Sequence, residues 1–376
     1  MKSRIAIIHF QPLEYYSPVC NFLSVIAANN QNWECTVFTT FSSKSKNQYS
    51  NSKIHIIRLF SFENSLNALF RLIGYYYFNV GTFIGLIFKN PSVVIYFESY
   101  SAMPAYWYIK WFGKNKKLWM HSHEYFTKDW YLNGMKTVKL YHKKETNFLY
   151  KRADGLSHTN SFRANLFLAD YPWLEHKKMH IIPNYPPKNW KTFQNKLLSI
   201  EMPLKTVYIG SLSLQSTYIQ KYCEWLVQQN GKVILDIYTT NADTETIAYI
   251  QNINSKYIRF YKEGIVYEKI PERILKEQYQ VGLILYNGGP PNTIYCASNK
   301  LFEYLICGLD VWFSQEMLGT YPYITQHTYP KVLKVDFTNM NLFDLKTAIN
   351  HEDCSYRPFN FECESVYEEF LSKLLN

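Results

Sequence analysis

Reactive side chains gather in two stretches of this chain. The first is YNGGPPNTIYCASNKLFEYLICGLDVWFS at 286–314. An apolar run ends at Tyr286, and a Gly/Pro-rich loop follows in which Asn287, Gly288 and Gly289 can close over a ligand. Ser298 and Asn299 suit a helix N-cap, and Gly308 ends the helix after Cys307. The free N–H groups and dipole of such a helix start favour an anion such as a diphosphate. Lys300 in the first turn adds positive charge. Glu303 lies one turn on, where a carboxylate can accept two hydrogen bonds from the vicinal hydroxyls of a ribose. The plainer reading is that Glu303 sits near a helix N-terminus for dipole reasons. The second stretch, KLWMHSHEYF at 117–126, sets His121, His123 and Glu124 just past a strand end. Two His and one Glu suggest a metal on composition, but no further ligand cluster accompanies them. Glu124 can also simply cap the next element.

The elements around these stretches alternate. Short apolar runs at 4–10, 35–39, 54–60, 93–97, 117–120, 155–158 and 180–182 read as strands. Helical spacing lies between them at 19–30, 66–88, 102–112, 138–151 and 161–169. Strands apolar on both faces that alternate with helices predict a parallel sheet covered on both sides. Pro183, Pro186, Pro187 and Pro203 break the rhythm, and 188–203 reads as a linker. The alternation then restarts. Strands are expected at 206–209, 233–238, 258–261, 281–286 and 311–313, and helices at 218–229, 242–252, 270–276, 299–307, 342–350 and 365–375. The expected architecture is α/β: two doubly wound Rossmann-like domains facing across a cleft. They span 1–187 and 204–355, with 356–376 a C-terminal helix packing back towards the first domain. Ligands of such sheets bind beyond the C-terminal strand ends, which directs attention to the loops after Phe10, Phe97, Met120, Ile209, Tyr261 and Tyr286.

Composition bounds the function. The chain has 376 residues, 47% of them hydrophobic and 18% aromatic, which excludes a disordered chain. The net charge of +10 favours anionic partners. The basic residues do not alternate with aromatics in any nucleic-acid-binding motif, so nucleic acid is not expected. Seven cysteines, odd in number and without a CxxC pair, read as reduced thiols of a cytosolic protein. The N-terminus does not read as a signal peptide. The uncharged stretch 72–88 lies at the short limit for a span and holds three Gly, so it reads as a buried or membrane-apposed helix. Lys136, Lys139, His142, Lys143, Lys144, Lys151 and Arg152 form a basic series along one helix. That series is either a solvated face or, with the aromatic stretch before residue 90, a dock for an anionic membrane.

SNKLFEYLICGLDVWFS at 298–314 resembles the nucleotide-sugar-binding segment of GT-B glycosyltransferases, above all the large retaining family with a Glu-x7-Glu motif. Other similar pieces stand in order: HSHEYF at 121–126, IPNYP at 182–186, YIGSL at 208–212, EGIVYEKIPE at 263–272 and VGLILY at 281–286. The resemblance covers most of the chain. It implies a glycosyltransferase, hexosyl-transferring and retaining, that takes a sugar from a nucleotide-sugar donor to a glycan or lipid-linked glycan in cell-surface polysaccharide assembly. No cofactor and no metal are expected, since a helix N-terminus and Lys can stabilise the leaving diphosphate. The donor would be held by Gly210, Ser211, Gly264, Val266, Asn287, Ser298, Asn299, Lys300 and Glu303, with Val266 or Tyr267 on the base. His121, His123, Glu124 and Lys300 would be catalytic, Glu124 as base or sugar clamp. His9, Gln11 and Tyr15 would line the acceptor side. The protein would be cytoplasmic, peripheral on the inner face of the cell membrane. Two departures stand out. Tyr295 occupies the place of the motif's first Glu, and the loop after Ile209 offers no cation before Lys221. Two rival readings follow: a nucleotide-sugar 2-epimerase, for which Glu98 and Glu124 are the available acid/base carboxylates, and a non-catalytic GT-B partner subunit.

Overall fold

The computed structural model describes residues 3–29, 33–42, 48–61, 67–193 and 202–375. The chain divides into two compact units, Met1–Asn184 with Cys363–Asn376, and Tyr185–Glu362.

The first unit holds seven strands: β1 (Ser3–His9), β2 (Trp33–Phe41), β3 (Ile54–Ser61), β4 (Val93–Phe97), β5 (Lys117–Ser122), β6 (Gly155–His158) and β7 (Met179–Ile181). They pair in the order β3-β2-β1-β4-β5-β6-β7, every pair parallel. β4, VVIYF, is buried along its whole length, as a central strand covered on both faces must be. The order reverses between β1 and β4, which is the topological switch point where such sheets bind ligands. Register sets His9 beside Phe97, Phe97 beside His121 and His121 beside Ser157 at the carboxyl edge.

The second unit repeats the plan. β8 (Leu204–Ile209), β9 (Val233–Tyr238), β10 (Ile258–Tyr261), β11 (Val281–Ile284), β12 (Asp310–Ser314) and β14 (Val332–Val335) pair in the order β10-β9-β8-β11-β12-β14. All pairs are parallel. β13 (Thr328–Tyr329) and β15 (Ser355–Tyr356) make a separate two-stranded sheet. The switch point lies between β8 and β11.

Three expectations shift. The division falls at Asn184/Tyr185, before the expected linker, because Tyr185 packs on Phe302 and Trp190 on Tyr267 inside the second unit. Most of 188–203, namely 194–201, lies outside the described residues. The helix expected at 138–151 is interrupted: helical turns at Lys136–Lys144 and Tyr150–Arg152 flank a wider π turn at Glu145–Leu149. Strand β14 and the short helix Lys128–Asn133 have no counterpart in the sequence reading. The last helix, Cys363–Leu375, belongs with the first unit. Its Tyr367 hydroxyl donates to Pro18 O at 3.1 Å, and Phe370 packs on Trp119.

Gly282, inside β11, has a packing reason. A Cβ there would stand 2.2 Å from the Tyr304 ring, and Tyr304 in turn accepts the Ile209 N–H at 3.1 Å. Gly282→Ala should destabilise the second unit by about 1–3 kcal/mol, the range for overpacking a tight core. Urea unfolding checks this, and an unchanged midpoint would refute it.

Candidate functional site

In the second unit the site is assembled at the β8/β11 switch point. β8 ends at Ile209, and Gly210 then takes φ +135°, in the region that favours glycine. A Cβ at Gly210 would come within 2.7 Å of Lys300 Cε and 2.8 Å of Nζ, so the missing side chain makes room for that ammonium. Lys300 Nζ donates to the Tyr286 hydroxyl at 2.9 Å and lies 5.0 Å and 5.6 Å from the Tyr286 and Tyr208 ring centres. Burial lowers the pKa of this ammonium, but Tyr286, Tyr208 and Glu303 outweigh that and hold it above the usual lysine value. The expected cation at the β8 loop is therefore supplied from the helix opposite.

That helix runs Asn299–Ile306, with Ser298 at the N-cap position. Ser298 is buried, yet its side chain makes no capping bond, so it does not satisfy the first N–H groups of the helix. Glu303 is 9% exposed on the same helix. Burial raises its carboxyl to about 7, against the opposing pull of Lys300.

The other expected donor residues are placed as follows. Ser211 Oγ accepts from Asn241 Nδ2 at 3.2 Å. Gly264 has φ +63° and packs on Thr240. Val266 stands exposed beside it, whereas Tyr267 packs on Trp190. Asn287 is engaged elsewhere, with Nδ2 donating to Gln215 O at 2.7 Å, which ties its loop to the loop after β8. Tyr295 follows the short helix Pro291–Ile294.

In the first unit a pocket enclosing about 350 Å³ opens at the β1/β4 switch point. Its lining includes His9, Gln11, Tyr16, Glu98, Tyr100 and Glu124. Glu98 follows β4 directly, with φ 58° and ψ 159°. Its Oε1 accepts the N–H of His123 at 2.6 Å and of Glu124 at 3.3 Å. Burial, and then the neighbouring Glu124 charge, raises the Glu98 carboxyl to about 8. Glu124 is also raised by burial, with Arg163 opposing. This pair can hold one proton between an acid and a carboxylate, the arrangement that acid/base chemistry uses.

The histidines are buried and neutral. His9, whose Nδ1 meets Gln11 O at 2.7 Å, is lowered to about 4 by burial. His121, whose Nδ1 meets Ser157 Oγ at 2.8 Å, is lowered to about 3 by burial. His123 is also lowered by burial; it stacks on Phe97 with ring centres 5.3 Å apart and meets Asn184 Oδ1 at 3.3 Å. No group of three metal-ligating side chains exists among the described residues. Tyr15 does not line the pocket. It is 54% exposed and its hydroxyl lies 2.6 Å from Ser42 Oγ. Its neighbour Tyr16 takes the expected place.

Sequence reasoning missed Tyr16 and Arg163. Arg163 is 4% exposed; Nη1 donates to His123 O and to Thr159 Oγ1, which fixes the loop that carries Glu124. A lysine or arginine in the first turn of the helix after β6 was the available signal, since Asn160 caps that helix through the Arg163 N–H at 2.9 Å.

No protein-family model and no curated protein sequence matches the chain. Solved structures do. A lipopolysaccharide outer core galactosyltransferase, WaaB in its apo form, aligns with TM-score 0.65 and 15% identity over 99% of both chains. HepE of Anabaena, solved with UDP and glucose, aligns at 0.63 and 10% over 99% of both. A UDP-GlcNAc 2-epimerase from Neisseria meningitidis, bound to UDP-GlcNAc, aligns at 0.58 and 10% over all of both. The chain has the two-domain GT-B fold.

The state of Glu98 is testable through stability. An unfolded Glu titrates near ~4.3, so the unfolded chain gives up this proton first. The stability contributed by the neutral acid is complete below ~4.3 and is lost as pH rises through about 8. Glu98→Gln keeps the accepting Oε1 and cannot ionise. Calorimetry should show its Tm falling less than wild type between about pH 6 and about pH 9. Parallel curves would mean that Glu98 is not the titrating group.

Proposed function

We propose that the protein is a glycosyltransferase that moves a hexose from a nucleotide-sugar donor to a hydroxyl of a glycan or lipid-linked glycan, with retention, in assembly of a cell-surface polysaccharide such as a capsule, O-antigen or exopolysaccharide. The observation that carries this reading is Lys300, held against Gly210 at the β8/β11 switch point on the helix that also bears Glu303. A cation, an uncapped helix start and a carboxylate one turn on match the diphosphate and ribose of such a donor. The solved structures support the reading: one is a galactosyltransferase and another holds UDP with glucose.

In this reaction the bond from the sugar's anomeric carbon to the diphosphate breaks, and a bond to the acceptor oxygen forms. The departing charge falls to Lys300 and the helix N–H groups, so no metal is required. The acceptor proton needs a carboxylate, and Glu124 is the group the first unit places in its pocket beside His9 and Gln11. His121 and His123 position that loop, and Gly264 and Val266 are assigned to the nucleobase. The seven cysteines are all unpaired, in keeping with a reducing compartment, and we assign the protein to the cytoplasmic face of the cell membrane.

One observation favours a second reading. Glu98 and Glu124 share the first unit's pocket, as a nucleotide-sugar 2-epimerase would want of its acid and base. Incubation with UDP-N-acetylglucosamine alone decides: appearance of the epimer establishes the epimerase. A thermal-shift panel of UDP, GDP, CMP and dTDP tests both readings, because stabilisation by none of them would overturn both.

Two variants test the roles in the second unit. Glu303→Ala should weaken nucleotide binding by about 1.5–3 kcal/mol per charged hydrogen bond lost. Because Glu303 must be ionised to accept from ribose, wild-type affinity should rise as pH passes upward through about 7, and the variant should lack that rise. Titration calorimetry reads both effects, and an unchanged affinity in a folded variant would remove the ribose role. Lys300→Ala should lower kcat more than it raises donor KM, since a cation at the leaving group acts mainly on the transition state. A pure KM effect would recast Lys300 as a binding residue.

A further inference from the structure

The first unit exposes a broad apolar face that its core does not use. Helix Ala68–Lys89 turns Leu69, Phe70, Tyr76 and Phe88 outward, with Phe88 83% exposed. Next to it, helix Ala102–Phe112 exposes Trp111 at 71%. That helix packs in turn on Lys136–Lys144, and Asn79 Nδ2 donates to the Tyr141 hydroxyl at 2.6 Å, joining the first and third helices. Monomers seldom leave so much aromatic surface in one place without a partner.

Charge on this side has one sign. Residues 67–152 contain thirteen Lys and Arg against four acids, Glu98, Glu124, Asp129 and Glu145. Glu145 is fully buried and the two other Glu lie in the pocket, which leaves Asp129 facing solvent. Lys144 and Lys110 sit over the Tyr106 ring at 5.2 Å and 5.5 Å, so cations border the aromatic surface directly. A second copy laid on this face would set lysines against lysines, which opposes association. Among the described residues no helix is long and apolar enough to cross a membrane.

We propose that this face docks on an anionic lipid bilayer, with helix Ala68–Lys89 lying in the interface plane and Lys139 and Lys143 of the neighbouring helix meeting acidic headgroups. Apolar burial and attraction to anionic lipid act together in such attachment. The proposal stands independently of the sugar-transfer reading, and its test measures no catalysis.

The test is sedimentation of the full chain with phosphatidylcholine vesicles, with and without phosphatidylglycerol. Wild type should pellet with the anionic vesicles at low salt and be released largely, though not wholly, at high salt. Lys139→Glu with Lys143→Glu should reduce low-salt binding about tenfold or more, an effect of charges near the surface. Phe70→Ser with Phe88→Ser, both exposed positions, should abolish the salt-resistant fraction while leaving the Tm unchanged. The proposal falls if wild type stays in the supernatant with anionic vesicles or pellets equally with both kinds. It also falls if light scattering shows a dimer that the Phe variant dissolves, since a second copy would then cover the face.

Discussion

Glu98 ties the end of β4 to the loop after β5, and the first unit's pocket depends on that tie. Its carboxyl accepts two successive backbone N–H groups, of His123 and Glu124, and so fixes where Glu124 can point. To reach them Glu98 adopts a backbone conformation with φ 58° that a side chain rarely tolerates. Such a residue costs ~1–3 kcal/mol and persists where its surroundings over-determine it. The surroundings here do so. Ser99 Oγ donates to Glu145 at 2.5 Å and lies 3.1 Å from the Tyr131 hydroxyl. Ser101 Oγ accepts the Phe10 N–H at 2.9 Å. The wide turn at Glu145–Leu149 begins at the residue that anchors Ser99, so the break in that helix and the strained loop belong to one arrangement.

The second unit solves the same problem with a lysine. In both sheets all strands are parallel, so their carboxyl ends gather along one edge and polar groups there are drawn from several loops. At the first edge the groups are neutral histidines and an acid pair. At the second they are an ammonium and a carboxylate on one helix. Lys300 can approach the β8 loop closely because residue 210 is glycine, and Tyr286 supplies the hydroxyl it donates to.

Much of this was legible because the strands of a doubly wound fold are short, apolar and evenly spaced. The runs at 93–97, 155–158, 233–238 and 258–261 coincide with β4, β6, β9 and β10. β14 escaped because VLKV is only four residues long and half polar. The domain boundary was misplaced because prolines mark turns whether or not a core lies beside them, and the packing of Tyr185 and Trp190 leaves no trace in composition. At the site, Lys300 and Glu303 stand out by spacing on one helix. The loop after β8 looked deficient in charge because a sequence shows a loop's own residues and not the side chain that enters from another element. Arg163 is hidden for the same reason, since its role lies in carbonyl and hydroxyl partners on two other segments.

The abundance of tyrosine has a structural use that composition alone could not distinguish from bias. Buried phenol rings fill the core as Phe would, but each also brings a hydroxyl that a neighbouring polar group can use. Tyr304 accepts the Ile209 N–H where β8 ends, Tyr329 donates to Gly308 O where the Asn299–Ile306 helix ends, and Tyr222 meets Thr206. Tyr279 donates to Asp236, which Arg259 grips through two nitrogens at 2.6 Å. Replacing such rings by Phe would leave a main-chain or carboxylate partner buried and unpaired, at a cost of ~1–3 kcal/mol each. Inside both units, then, tyrosine closes hydrogen bonds at strand and helix ends, whereas on helix Ala68–Lys89 Tyr76 and Tyr77 stand more than half exposed beside Phe and Leu. The same residue type serves two opposite environments, and only the second needs a partner outside the chain.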